Sequence, residues 1–293
     1  MAKRPNRSMT AWTGTPPGGL LDFLELERVE RDLFRGVCHE AAPLRAFGGQ
    51  VAAQALTAAG HTVPADRPVH SLHGYFLRPG DTKQPIVYAV ERLRDGGSYV
   101  SRRVSAVQDG EMIFSLSASF KRPEPGFDRQ RRVPPTAGPD ELPSAGSPST
   151  DREEDASAWH RVLDIRQAAV PAEQVQGGQT EQRLWIRAAR PLSDDPLTHA
   201  CALAYASDLG LAPTAALEES PSGQRSTLPS LFVTSLDHAI WYHRPFRADE
   251  WMLFAQRSPS AGDGRGLAMA DVWDQDGLLV ASVVQETVLR GRR

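Results

Sequence analysis

The sequence predicts an α+β fold that occurs twice along the chain, each copy a central helix wrapped by an antiparallel sheet. Two observations lead to this prediction. A set of motifs recurs at matched spacing in the two halves, and each half contains one helix candidate followed by several strand candidates. One helix followed by strands that short turns connect favours an α+β class over a doubly wound parallel sheet.

The internal repeat consists of three pairs of motifs. Turn residues and apolar residues recur together in these motifs, which is strong evidence that the fold was duplicated. The pairs are Ser71–His73 with Ser235–Asp237, Phe76–Pro79 with Tyr242–Pro245, and Gln108–Gly110 with Gln275–Gly277.

Chain length and loop-forming residues predict two domains with a linker between them. The 293 residues are enough for two cores of ordinary domain size. Prolines and glycines are dense between 122 and 149, which is typical of a linker, and a charged stretch compatible with a helix follows up to about Val170. We therefore expect an N-terminal domain over 20–125, a linker over 126–180 and a C-terminal domain over 181–290.

The elements of the first copy can be read in order. The helix candidate is Gly48–Gly60, in which Val51, Ala55 and Ala58 lie on one stripe. Asp-Gly pairs at 109–110 and 276–277 predict hairpin turns, because residues that tolerate positive φ are needed there. The extended runs after the helix cover 69–78, 85–94, 98–108 and 112–121.

Composition and charge exclude several classes of function. Hydrophobic residues make up 40% and charged residues 24%, as in globular proteins with a sizeable core. A net charge of -3 gives no general reason to expect nucleic acid or a membrane surface as partner, and no apolar run is long enough to span a bilayer. Cys38 and Cys201 lie in no CxxC or Cys/His cluster, so we expect no disulfide, no metal site and a cytoplasmic location.

The second copy carries a carboxylate where the first has an apolar residue. Alignment on the prolines that follow the two helices places Asp208 opposite Ala59. Asp208 also extends the helical stripe of Leu197, Cys201 and Ala204, so it is expected to be partly desolvated and a good base. A solvated aspartate in the last helical turn is the alternative interpretation.

A second polar replacement occurs in the last strand. Apolar residues alternate with serines in the first copy, and the aligned second copy has Gln285 where the first has Ala118. A buried amide needs hydrogen-bonding partners or costs about 1–3 kcal/mol, so its presence indicates a role. Ser235 matches Ser71 and gains interest only beside Asp208 and Gln285. Two apolar-to-polar changes on facing elements predict that the second copy carries the chemistry.

Six motifs spread over both domains indicate a resemblance to a known family. They are Phe47–Gln50, Tyr75–Asp81, Leu93–Gly96, Tyr205–Asp208, Asp237–Phe246, and Gln275–Gly277 through Gln285-Glu286. With these motifs the chain resembles the acyl-CoA thioesterase II (TesB-like) family of double-hotdog enzymes. The resemblance does not extend to the linker from Phe127 to about Gly178.

The resemblance implies a site and a reaction. In that family an Asp, a Thr or Ser, and a Gln of the second hotdog orient and activate the water that attacks the thioester carbonyl. It implies that Asp208 is the base and that Ser235 and Gln285 hold the water or the developing oxyanion. Many members have Thr where this chain has Ser235, but the hydroxyl is retained. The resemblance further implies fatty acyl-CoA as substrate, no cofactor, and a homodimer or homotetramer.

Other residues have two interpretations each. Backbone amides at the start of the first helix, around Gly48 and Gly49, would hold an anion or polarise a carbonyl, or else the glycines permit close helix packing. A set of strand arginines would contact coenzyme A phosphates or form a solvated strand face. This set consists of Arg92, Arg94, Arg102 and Arg103.

Two other functions stay open. An acyl-CoA hydratase or dehydratase needs a His and Asp pair, and the helix stripe has no histidine near Asp208. A non-catalytic acyl-CoA binding module would not need the polar trio. A local triad of Ser235, Asp237 and His238 is not expected, because in a strand the first two side chains face one way and the third the other. The histidine pairs His70/His73 and His238/His243 lack a third metal ligand.

Overall fold

The structure, a computed structural model, describes residues 19–38, 45–143, 162–171, 180–219, 225–227 and 231–291. Within these residues each copy has one long helix and a set of antiparallel strands, so the predicted α+β class is confirmed. The first copy contains α1 (Leu20–Leu24), β1 (Glu27–Glu30), β2 (Leu33–Gly36), α2 (Gly48–Gly60), β3 (Val69–Phe76), β4 (Ile86–Asp95), β5 (Tyr99–Gln108) and β6 (Glu111–Lys121). The second contains β7 (Leu163–Ala168), β8 (Thr180–Ala188), α3 (Pro196–Ser207), α4 (Leu211–Thr214), β9 (Leu217–Glu219), β10 (Arg225–Thr227), β11 (Leu231–Ser235), β12 (Asp237–Tyr242), β13 (Met252–Gly262), β14 (Arg265–Trp273) and β15 (Leu279–Gly291).

The two copies share one continuous antiparallel sheet. The order β1-β2-β4-β5-β6-β3 in the first copy continues as β12-β15-β14-β13-β8-β7 in the second, and β11 also pairs with β15. The copies meet where β3 pairs with β12, with Leu72 opposite Ile240. Read outward from this junction, the strand order is the same in both directions, as a duplicated fold requires.

The two long helices pack antiparallel against each other. Gly60 at the end of α2 lies against Leu197 at the start of α3, and Gly49 at the start of α2 lies against the Tyr205 carbonyl near the end of α3. From Gly49 onward α2 is buried on every side, beyond the predicted stripe, because α3 covers the part that the sheet does not. No helix within the described ranges has the length and apolarity needed to cross a membrane.

The last strand of each copy has the alternation that the sequence predicts. In β6, Phe114, Leu116, Ala118 and Phe120 are buried. The aligned set in β15 is buried as well and includes Gln285, which has no exposed surface. The amide therefore lies on the core-facing side of the sheet, as the alignment of the copies predicts.

The two Asp-Gly turns differ from each other. Asp109 and Gly110 both have positive φ, 48° and 76°, so the predicted tight hairpin is confirmed there. At the second site only Gly277 has positive φ, and the Asp274 amide donates to the Leu278 carbonyl across a longer turn. A third hairpin with two positive-φ residues, at Asp263 and Gly264, was not predicted.

The segment expected to be linker packs on the outer face of the second copy. Its backbone carbonyls at Pro135 and Ala137 accept hydrogen bonds from the side chains of Arg183 and Trp185 on β8. Strand β7 also lies inside this segment and pairs with β8. The expectation of a helix up to about Val170 is therefore wrong at Leu163–Ala168, where pairing with β8 stabilises an extended chain.

Candidate active site

The three residues that the sequence singles out lie together at the junction between the copies. Asp208 directly follows α3, Ser235 ends β11, and Gln285 lies near the middle of β15. The Gln285 Nε2 donates one hydrogen bond to Asp208 Oδ1, at 3.2 Å, and a second, short one to Ser235 Oγ. Gln285 thereby links the carboxylate to the hydroxyl.

The first copy contributes a backbone group to this cluster. The Gly49 amide, at the start of α2, donates to Asp208 Oδ2 at 2.8 Å. The positive end of a helix dipole favours a carboxylate in this position. The Gly49 amide thus binds the carboxylate of Asp208, and the absence of a Cβ on Gly49 permits close helix packing, because a Cβ would collide with the Tyr205 carbonyl.

The turn after Asp208 is fixed by a polar cluster from the neighbouring strands. Gly210 has a φ of 71°, and its carbonyl accepts from Gln182 and Thr214. The side chain of Gln256 donates to the Leu209 carbonyl at 2.8 Å. These contacts hold the backbone immediately after Asp208, so the direction of its carboxylate depends on β8 and β13 as well as on α3.

The amide oxygen of Gln285 has a partner that the sequence did not indicate. Gln285 Oε1 lies 2.7 Å from His238 Nδ1, and His238 Nε2 lies 2.8 Å from the hydroxyl oxygen of Ser207. All three side chains are buried. Burial lowers the pKa of His238 and favours a neutral ring, although the nearby charge of Asp208 opposes this.

Strand alternation does not predict where His238 lies, because the segment from β11 to β12 contains a bulge. Ser235 pairs with Thr287 and Ala239 pairs with Val284, so this segment has one residue more than the part of β15 that it faces. The expectation that Ser235 and His238 face opposite ways is therefore wrong, and both contact Gln285. Asp237 instead binds His73, at 3.0 Å, and the ring nitrogens of His238 contact Gln285 and Ser207, so Ser235, His238 and Asp237 do not form a triad.

The remaining candidate residues have other partners. His70 binds Ser119 and His243 binds Ser282, each through a ring nitrogen. Among the strand arginines, three form ion pairs with carboxylates: Arg92 with Asp32, Arg102 with Asp95, and Arg103 with Glu91. These three arginines are thus paired with carboxylates of the first copy.

Aromatic side chains surround the start of α2 and the carboxylate that it binds. Phe47 packs edge-on against Tyr205, and Phe76 packs against Phe114 with ring centroids 4.8 Å apart. A Cβ on Gly48 would lie 2.8 Å from Asp208 Oδ2 and 2.9 Å from the Phe76 ring. A charged oxygen therefore lies beside apolar walls, the combination that a base acting on the head of an apolar substrate requires.

Comparison with known proteins places both copies in one family. Residues 39–121 match the acyl-CoA thioesterase N-terminal domain, and residues 139–289 match the acyl-CoA thioesterase C-terminal domain. Acyl-coenzyme A thioesterase 8 of Homo sapiens is 38% identical, with 94% of this chain and 92% of that protein covered. An acyl-CoA thioesterase II of Mycobacterium marinum has a crystal structure with a TM-score of 0.77 at 43% identity, covering 92% of this chain and 98% of that one.

A further solved structure is similar to this chain and is described by its fold. A protein from Alicyclobacillus acidocaldarius described as having a hot dog fold is 19% identical, with a TM-score of 0.71 over 93% of this chain and 98% of that one. A duplicated fold in which an antiparallel sheet wraps a central helix therefore defines the class as the double hotdog. Within this class the chain belongs to the acyl-CoA thioesterase family, whose members are thioester hydrolases.

Proposed function

We propose that this protein hydrolyses fatty acyl-CoA to a free fatty acid and coenzyme A with a water molecule that Asp208 activates. The observation that best supports the proposal is the convergence of Asp208, Ser235 and Gln285 at the start of α2, beside aromatic walls. No metal or redox group has a part in this scheme.

The steps follow from the donors and acceptors of the site. Asp208 takes a proton from the water while the water oxygen bonds to the thioester carbonyl carbon. The carbon–sulfur bond of the tetrahedral intermediate then breaks, and Asp208 returns the proton to the leaving thiolate of coenzyme A. Each product thus receives its atoms from one water and one thioester, without a covalent enzyme intermediate.

Ser235 is suited to stabilise negative charge during these steps. Because its Oγ accepts a hydrogen bond from Gln285, its own hydrogen remains available to donate. A hydroxyl donor aimed at the water or at the developing oxyanion lowers the barrier to attack. Gln285 uses both amide hydrogens on Asp208 and Ser235, so we assign it the role of fixing these two groups relative to each other.

The hydratase or dehydratase alternative finds less support in the site. It would need an exposed histidine beside Asp208 to exchange protons with the acyl chain. His238 is the nearby histidine, but it is buried and its two ring nitrogens contact Gln285 and Ser207. A hydrolase needs no such exchange.

We also propose that the protein works in the cytoplasm as a homodimer or homotetramer. Cys38 and Cys201 are buried free thiols, and burial raises the pKa of each to about 12, which suits a reducing compartment. The sheet has edge strands that a second copy could cover. Sedimentation that finds only monomers would contradict this assembly.

The function is tested by assaying thiol release from saturated acyl-CoAs of short, medium and long chains, alongside loss of an enoyl-CoA by hydration. We expect release of free coenzyme A from at least one fatty acyl-CoA, and no hydration. Tight binding without release would indicate a binding module, and hydration without release would indicate a hydratase; either result contradicts the proposal.

A further inference from the structure

The orientation of the Gln285 amide can be deduced from its neighbours. One end of the amide faces the carboxylate oxygen Asp208 Oδ1 at 3.2 Å, and the other faces His238 Nδ1 at 2.7 Å. A carboxylate oxygen only accepts, so the end facing Asp208 must be the NH2 group. If the amide were flipped, its oxygen would lie against the carboxylate and neither would have a donor.

This orientation determines which nitrogen of His238 carries the proton. With its NH2 group toward Asp208, Gln285 presents its oxygen to His238 Nδ1, so Nδ1 must carry a hydrogen. In a neutral ring Nε2 is then an acceptor and needs a donor of its own. The only group at hydrogen-bonding distance from Nε2 within the described residues is the Ser207 hydroxyl, at 2.8 Å.

The Ser207 hydroxyl has two possible acceptors, and the choice between them matters. It lies 3.0 Å from the Ala204 carbonyl of its own helix and 2.8 Å from His238 Nε2. If Ser207 donated only to Ala204, the ring could place its hydrogen on Nε2 and leave Nδ1 bare against the Gln285 oxygen. A hydrogen bond donated by the Ser207 hydroxyl to Nε2 prevents this tautomer.

We propose that Ser207 and His238 are positioning residues, which lock the Gln285 amide with its NH2 group toward Asp208 and Ser235. This inference rests on the proposed function, since it explains how the three site residues keep their arrangement. Ser207 is adjacent to Asp208 at the end of α3, and His238 lies three residues after Ser235, so the chain of contacts also connects the two segments that bear the base and the hydroxyl. Both residues are buried, and neither is assigned a contact with substrate.

The tautomer can be measured directly by histidine-selective ¹⁵N NMR of the full-length protein at neutral pH. The His238 signals are assigned by their disappearance in His238→Asn. We expect a protonated Nδ1 and an unprotonated Nε2 at His238. A proton on Nε2, alone or together with Nδ1, would overturn the proposal. This readout needs no turnover, so it is independent of whether the protein hydrolyses thioesters.

A matched pair of variants tests the consequence for turnover. Asparagine carries a donor near the position of Nδ1, whereas leucine is of similar size and has none. We expect His238→Asn to keep kcat within a few-fold of the unchanged protein and His238→Leu to lower it about tenfold or more, with KM for acyl-CoA little changed in both. Equal losses in folded Asn and Leu variants would contradict the role of the donor.

Ser207 provides the second arm. Ser207→Ala should lower kcat about tenfold in the unchanged protein and have no further effect in the His238→Asn background, where no Nε2 remains to be fixed. A loss of the same size in both backgrounds would mean that Ser207 does not act through His238, and would overturn the proposal. Absence of thiol release by the unchanged protein would contradict the proposed function, and full activity of Asp208→Asn would contradict the assignment of the base, while the NMR result would still decide the tautomer.

Discussion

Each oxygen of the Asp208 carboxylate accepts a hydrogen bond, and the two donors come from different copies of the fold. Gly49 of the first copy binds Oδ2, and Gln285 of the second binds Oδ1. Such fixed donors leave the carboxylate little freedom to rotate, yet each oxygen retains a lone pair for a water. Preorganisation of this kind is how a base reaches its substrate without a reorganisation cost during the reaction.

The hydroxyl of Ser235 gives a prediction at the same scale. Ser235→Thr retains the oxygen that accepts from Gln285 and the hydrogen that donates onward, so we expect kcat within a few-fold of the unchanged protein. Ser235→Ala removes both, and we expect a loss of about 10²-fold in kcat, as for other single donors to an oxyanion. The check is steady-state hydrolysis of one acyl-CoA. Equal rates for the two variants would show that the hydroxyl is not used.

At the level of residues, comparison of the two copies predicts part of the site. Asp208 and Gln285 are polar where the first copy has Ala59 and Ala118, and this difference is visible without a structure. The contact between His238 and Gln285 is not visible in the sequence. The one-residue bulge between β11 and β12 turns the His238 side chain to the face opposite to the one that strand alternation predicts. The contact from Gly49 could not be located either, since it depends on how two distant helices pack.

Helices α2 and α3 pack against each other through a glycine at each end of α2. The start of α2 lies so near the end of α3 that the Gly49 amide donates to Asp208 and a Cβ on Gly49 would collide with the Tyr205 carbonyl oxygen. This close approach joins the first copy to the site, because a wider helix separation would break the hydrogen bond to the carboxylate. The position of the Asp208 carboxylate therefore depends on the close packing of the two helices.

Gly49→Ala tests this dependence. Alanine favours a helix by about 0.5–1 kcal/mol over glycine, but the collision with the Tyr205 backbone is expected to outweigh that gain and destabilise the protein by about 1–3 kcal/mol. We also expect kcat to fall, because α2 must move away from Asp208. Gly97→Ala is the control, since a Cβ at Gly97 meets no atom within 4 Å. Urea unfolding and turnover that match the control would contradict the close-packing account.

The structure contains the predicted elements whose own residue types favour them. The helix Gly48–Gly60 and the tight turn at Asp109 and Gly110 have the predicted bounds, since residue type alone favours them. The second Asp-Gly pair lies in a longer turn, because β14 ends at Trp273 and β15 begins only at Leu279. Strand β7 could not be predicted, because its extended form depends on pairing with β8.

On the scale of the whole molecule, duplication has produced a single sheet, and the two copies differ in the residues that lie near their junction. The copies join through β3 and β12, and the site lies beside this junction, where Phe76 of the first copy donates its amide to the Leu236 carbonyl of the second. The first copy contributes to the candidate site the amide of Gly49 at the start of α2 and the aromatic rings of Phe47 and Phe76. The sequence predicts the duplication, whereas the outer-face path of the linker depends on its contacts with β8.

The most direct test of the account is the turnover of Asp208→Asn. At this position the second copy has a carboxylate where the first has Ala59, and the proposed chemistry begins with that carboxylate. We expect a folded protein whose kcat is lowered about 10²–10⁴-fold, the usual contribution of a general base, while Asp140→Asn, which changes an exposed carboxylate on the linker, keeps full activity. Near-normal hydrolysis by folded Asp208→Asn would contradict the assignment of the base, and with it the proposed route of the water.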